Sequence, residues 1–230
     1  MIFNHARISG REIEAAIFDL DGTLIDSMHL WENFSSDWLR SFGKTPGKTL
    51  AADIYSMTFS QCADYFKKNY DLDLSRDELI SQWGDGMTER YIKGAILKQG
   101  VKELLDAFSE KRIKMGIATY SLPRACEAIL CHHKIRSYFS SIIYAYEFED
   151  VTKFSSVKKD PQFWLAAAGR LGTEPEKCIV FEDSFTSFEG VKPAGMCFAA
   201  VYDSSAGRWP LLSISADISL QYPGEALRYF

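Results

Sequence analysis

No stretch of this chain approaches the roughly 20 consecutive apolar residues that a membrane-spanning helix requires, so a soluble protein with no membrane partner is expected. The opening segment MIFNHARISGREIE scatters its charges and holds no apolar run long enough for a signal-peptide core, which points to a cytoplasmic location. Cysteine is sparse: Cys62, Cys126, Cys131, Cys178 and Cys197 are odd in number and widely spread, the pattern of buried free thiols in a reducing compartment. Positive charge is also in deficit, with 26 Lys and Arg against 31 Asp and Glu, a net charge of −5. No basic stripe is present to grip a nucleic-acid backbone. Nucleic acid is therefore not an expected partner, and any phosphate site must be local. Internal repeats and low-complexity tracts are absent as well.

The 230 residues are 47% hydrophobic and 25% charged, ordinary for a globular chain that buries one core and carries a smaller accessory unit. Short apolar runs at AAIF (15–18), IKMGIA (113–118), SIIYA (141–145), CIVF (178–181) and CFAAV (197–201) alternate with helical patterns. That alternation predicts βαβ units and a doubly wound parallel α/β sheet of five strands. Between residues 27 and 97 apolar residues recur at helical spacing with no strand-like run. Helices are predicted over 28–41, 59–69 and 76–94, as an insertion overhanging the strand ends.

In AAIFDLDGTLIDS the first strand delivers Asp19 and Asp21, then Gly22 for a tight turn. Ligands of open α/β sheets sit outside the carboxyl ends of the strands, so both acids are expected in that crevice. Two acids this close repel unless a cation or a proton intervenes, and either arrangement suits phosphoryl transfer. A D-G-T turn alone also serves as a helix cap. The other strand ends add matching chemistry: Thr119, with Tyr120 and Ser121 behind it, offers a hydroxyl and backbone amides to an anion. Glu182 and Asp183 suit a hard, oxygen-seeking cation, and Lys158 can bring a point charge to a phosphate.

This constellation, in this order, resembles the haloacid dehalogenase-like hydrolases over nearly the whole chain, with DLDGT, Thr119, Lys158 and Glu182-Asp183 as the four motifs. The runs DPQFWLAAAGRLGTEPEKCIVFEDS and GVKPAGM resemble the branch containing β-phosphoglucomutase and small-molecule phosphatases. The resemblance implies a Rossmann-like core (1–26 and 98–230) with an inserted helical cap (27–97). It also implies Mg2+ as cofactor and a small phosphorylated metabolite as partner. Asp19 would be the nucleophile, Asp21 the general acid and base, and Thr119, Tyr120 and Lys158 the phosphate contacts. Asp183, Asp19 and the Asp21 backbone carbonyl would hold the metal, with Glu182 behind them.

The sequence departs from the family pattern at Tyr120, Lys159, Gln99 and Ser187, and Lys159 stands as a second candidate for the lysine role. A phosphosugar mutase of this branch carries a cap arginine and a histidine where this chain has Phe59, in the stretch Ser56-Met57-Thr58-Phe59, and Trp31. Both aromatics are expected to make the cap side of the pocket apolar and to favour hydrolysis of a monophosphate. The mutase and a catalytically silent binding protein on the same scaffold are the alternatives. The two GKT tripeptides at 43–45 and 47–49 lack the first glycine of a phosphate-binding loop, having Trp38 and Phe42 there. Cys126 and Cys131 diverge around a helix and, with His132 and His133, do not make a zinc site.

Overall fold

The structure, a computed structural model, describes residues 7–54, 57–148 and 154–230. Ser56 and the first six residues of the opening segment lie outside them. Six parallel strands form the central sheet: β1 (Ala15–Phe18), β2 (Lys114–Thr119), β3 (Ser141–Tyr144), β4 (Cys178–Glu182), β5 (Cys197–Val201) and β6 (Ile218–Leu220). Their spatial order is β6-β5-β4-β1-β2-β3, the α/β Rossmann-like architecture expected.

The five predicted strands are found where the apolar runs stand, because strands covered on both faces read as near-continuous hydrophobic sequence. The sixth was missed. Ile218–Leu220 is a three-residue edge strand with only Ile218 and Leu220 buried, too short to show an alternation. Along β1 successive side chains serve opposite layers. Ala16 and Phe18 join the cluster beneath α6 (Val101–Glu110) and α7 (Pro123–His132), while Ala15 and Ile17 join that beneath α8 (Pro161–Leu171) and α9 (Phe185–Val191). Phe18 stacks on Phe181 of the neighbouring strand at 4.7 Å between centroids. Each fully buried ring of this kind contributes about 1.5–3 kcal/mol from burial.

The helical segment comprises α1 (Met28–Trp31), α2 (Phe34–Ser41), α3 (Leu50–Ile54), α4 (Phe59–Tyr70) and α5 (Arg76–Gly94). The continuous helix expected over 28–41 is broken, because Asn33 takes a left-handed conformation with φ of 58°. Arg90 stabilises the break: its guanidinium donates to the carbonyls of Leu30 and Glu32, which end α1, and to Asp37 of α2. α4 and α5 begin with capping boxes, Thr58 with Gln61 and Ser75 with Glu78. The chain leaves and rejoins the sheet side by side, since Ile25–Asp26 pairs antiparallel with Ile96–Leu97. Just past that ribbon, half-buried Lys98 reaches Asp203 at 2.8 Å and the Tyr202 carbonyl at 2.8 Å, fastening the returning strand to the end of β5.

Cys62, Cys126, Cys178 and Cys197 are buried and none is in a disulfide; Cys131 is exposed, contrary to expectation, because it faces outward on α7 while Cys126 faces inward. Among the described residues no helix is long and apolar enough to cross a membrane.

Candidate active site

Asp19 follows β1 directly, its backbone N–H donating to the Phe181 carbonyl at 2.9 Å, so the carboxylate emerges beside the end of β4. There it meets Lys158, whose Nζ donates to Asp19 Oδ1 at 2.5 Å and to Glu182 Oε1 at 2.9 Å. Lys158 is only 2% exposed. Its ammonium lies 5.2 Å from the centroid of the Tyr120 ring and 5.9 Å from that of Trp164. The backbone is held too: the Lys158 N–H donates to Tyr120 Oη, and Trp164 Nε1 donates to the Lys158 carbonyl at 2.7 Å. Gly190 permits this approach, since a β-carbon there would stand 2.3 Å from that carbonyl oxygen. Lys159 points away into a half-exposed ion pair with Glu189 at 3.2 Å.

Glu182 has its acceptors committed. Besides Lys158, Oε1 accepts from Ser187 Oγ at 2.5 Å and Oε2 from the Ser184 amide at 2.6 Å. Ser187, where the family pattern often has glycine, thus anchors this carboxylate. Asp183 differs: it is buried, and no hydrogen-bond donor among the described residues serves its carboxylate. Gly22, at φ of 76°, lets the loop after β1 pass against it, because a β-carbon there would lie 2.6 Å from Asp183 Oδ2.

Asp19, Glu182 and Asp183 each bring an oxygen within 4.8 Å of the others, so three buried carboxylates face one ammonium. Burial pushes the Asp19 carboxyl up to about 7, against Lys158, which pulls it down. Burial and the charges of Glu182 and Asp19 push Asp183 well above the usual carboxylate range. Burial pulls Lys158 down, but Asp19 and Glu182 outweigh it and keep it protonated. Such an excess of buried negative charge calls for a further cation, and an all-oxygen donor set fits a hard divalent ion such as Mg2+.

Asp21 has another environment. Oδ1 accepts from Ser27 Oγ at 2.6 Å, Trp31 Nε1 at 3.2 Å and Tyr91 Oη at 2.5 Å, while Oδ2 accepts from Ser121 Oγ at 2.6 Å. Tyr91 Oη and Ser121 Oγ also touch each other at 2.7 Å. Trp31, expected as an apolar wall, therefore presents its polar edge to Asp21. Sequence reasoning missed Ser27 and Tyr91 and gave Ser121 only a general anion-facing role. A tyrosine near the end of a long amphipathic helix carries no signal of its tertiary partner.

Thr119 is fully buried at the end of β2, and its Oγ1 accepts from the Ser121 amide at 2.9 Å. Phe59 is not part of either cluster. It lines a cavity of about 10 Å³ inside the helical segment, with Cys62, Phe66, Leu79, Ile80 and Trp83. That space is too small for more than a single water.

Comparison with known proteins matches residues 16–201 to the family model described as haloacid dehalogenase-like hydrolase. The chain is 28% identical over 219 residues to a phosphorylated carbohydrates phosphatase of Thermotoga maritima, covering 94% of this chain and 97% of that protein. It is 29% identical over 221 residues to hexitol phosphatase B of Escherichia coli, covering 91% and 92%. Among solved structures it is similar to a Thermotoga maritima protein provisionally described as a β-phosphoglucomutase, with a TM-score of 0.69, 27% identity and coverage of 94% and 97%. CbbY of Rhodobacter sphaeroides, solved with phosphate, shares the fold with a TM-score of 0.74 at 19% identity, covering 93% and 96%.

Proposed function

The chain belongs to the haloacid dehalogenase-like hydrolases, and on that premise we propose that it is a magnesium-dependent phosphatase of small phosphomonoesters, a sugar phosphate or nucleotide-like compound, working through phosphorylation of Asp19. The observation that carries this reading is the meeting of Asp19, Lys158 and Asp183, the last without a donor among the described residues, at the carboxyl ends of the strands. The names of the relatives, a carbohydrate phosphatase and a hexitol phosphatase, support the substrate class.

In the proposed reaction an Asp19 oxygen forms a bond to phosphorus as the bond to the substrate's leaving oxygen breaks. Asp21 gives that oxygen a proton, then takes one from the water that hydrolyses the phosphorylated Asp19. Lys158 fixes the orientation of Asp19 and offsets the repulsion between carboxylate and phosphate. Thr119 stands at the phosphate side, and Tyr120 keeps Lys158 in place. Asp19, Asp183 and the Asp21 carbonyl would hold Mg2+, with Glu182 orienting the surroundings; the ion supplies charge neutralisation at the transferring phosphoryl group. Residues 27–97 form the cap that sees the rest of the substrate.

Trp31 supports hydrolysis over a mutase reaction, because an indole N–H donates only and cannot relay a proton as a histidine would. The test is turnover of 4-nitrophenyl phosphate with Mg2+ and its loss with chelator, followed by a panel of phosphorylated sugars and hexitols. No phosphate release from any of these would refute the reading. Efficient conversion of β-glucose 1-phosphate to glucose 6-phosphate with a bisphosphate primer, and little free phosphate, would make the mutase the better description.

A further inference from the structure

We propose that Tyr91 is a positioning residue for Asp21: its hydroxyl, brought in by α5 of the helical segment, fixes the carboxylate that exchanges the proton. This rests on the phosphatase reading above.

The geometry is specific. Tyr91 is fully buried, and its Oη donates to Asp21 Oδ1 at 2.5 Å while lying 2.7 Å from Ser121 Oγ. Ser121 closes the triangle on Asp21 Oδ2 at 2.6 Å. With Tyr91, Ser27 and Trp31 on one carboxylate oxygen and Ser121 on the other, Asp21 has little freedom to rotate about its terminal bond, since turning the plane would break contacts on both oxygens at once. The ring itself is held edge-on by Trp31, 6.4 Å between centroids. Trp31 in turn donates to Asp21, so two aromatic side chains of the helical segment converge on one oxygen.

The side chains that seat α5 on the core lie on the same side of the helix. Gly84 lies against Leu122, where a β-carbon would be 3.3 Å from Cδ1, and Asp85 pairs with Arg124 at 2.5 Å. Tyr91 is two turns further along and reaches Ser121, the residue before Leu122. The orientation of Asp21 is thereby tied to the seat of α5 on α7. None of these contacts involves Asp19 or Lys158, so Tyr91 bears on Asp21 and not on the nucleophile.

The experiment compares kcat/KM of wild type and Tyr91→Phe on 4-nitrophenyl phosphate and phenyl phosphate, with Mg2+ and with a thermal melt as the check on folding. This ratio reports the step that breaks the bond to the leaving oxygen. Nitrophenolate departs without a proton, whereas phenolate benefits from one. The expected result is a loss on phenyl phosphate ~10-fold or more greater than that on 4-nitrophenyl phosphate, a fraction of the full worth of acid catalysis. Equal losses on the two substrates, or none, would overturn the proposal, since a packing role does not sense the leaving group. Should Y91F fail to fold, Ser121→Ala removes the other corner of the triangle without altering ring packing. It is expected to give the same selective loss, and an equal effect on both substrates would overturn the proposal. A wild type that turns over neither compound refutes the phosphatase reading itself and the proposal with it.

Discussion

Asp19 and Asp21 are two residues apart on one strand end, and they live in different chemistries. Asp19 is buried among ions, with Lys158 and the carboxylates of Glu182 and Asp183, all supplied by the sheet and the turn before α8. Asp21 is surrounded by neutral donors, and Trp31 and Tyr91 among them arrive from the inserted helices. The difference teaches a division of labour: the sheet concentrates charge where a phosphoryl group would be held, while the insertion governs the carboxylate that would move protons.

The largest break in this comparison is expected from Asp19→Asn. The amide is nearly isosteric but a far poorer nucleophile, so turnover should fall to background while the circular dichroism spectrum is unchanged. Substantial residual activity would remove Asp19 from the covalent role. Asp21→Asn is expected to lower kcat by ~10² to 10⁴, the usual worth of general acid-base catalysis. Wild-type rates in that variant would erase the distinction between the two acids.

Lys158→Met tests the ionic side. Removing the ammonium leaves Asp19 and Glu182 as buried charges without their partner, and a loss of ~3–5 kcal/mol is expected in denaturant unfolding. A loss below about 1 kcal/mol would mean that the cluster does not depend on its lysine.

A smaller effect is expected from pH. The folded protein holds the Asp19 proton up to about 7 against an ordinary value of 3.8, so between these limits the folded state binds more protons than the unfolded state. This stabilising contribution is complete below about 4 and is lost as pH rises through about 7. Metal-free protein should therefore melt lower at pH 8 than at pH 5.5, and added Mg2+ should raise the melting temperature more at the higher pH, because ions bind the deprotonated carboxylates. A Mg2+ shift that is equal at both values would count against the carboxylate cluster as its site.

Smallest of all should be Lys159→Ala. Its half-exposed pair with Glu189 is worth ~0–1 kcal/mol, and activity should stay within about twofold of wild type. A large activity loss would reopen the choice between the two lysines.

How much of this was legible in the sequence follows the same division. The strands AAIF and CFAAV were readable because burial on both faces forces an unbroken apolar run. Their ends carried Asp19, Thr119, Glu182 and Asp183 into the crevice by topology alone. Lys158 and Lys159 are adjacent candidates in the sequence, and the structure separates them: the Trp164 indole N–H holds the Lys158 carbonyl, while Lys159 pairs with Glu189. On the insertion the sequence was less informative. Helical periodicity indicated α4 and α5, but the break at Asn33 depends on Arg90, some 57 residues away. Tyr91 and Ser27 were invisible because a hydroxyl facing Asp21 and one facing solvent look alike in a single sequence. Phe59, expected on the cap side of the pocket, lines a small cavity among the helices with Cys62, Phe66 and Trp83.

The paired crossing at Ile25–Asp26 and Ile96–Leu97 has an engineering meaning. Entry and exit are neighbours, so the insertion is a plug-in: a short hairpin turn from Asp26 to Ile96 could close the same two-stranded stem, and a different helical module could be spliced there while the sheet keeps its order. Such a graft would inherit Asp19, Lys158 and Asp183 intact, yet it would arrive without Trp31 and Tyr91. A module exchanged at this stem must therefore bring its own donors for Asp21.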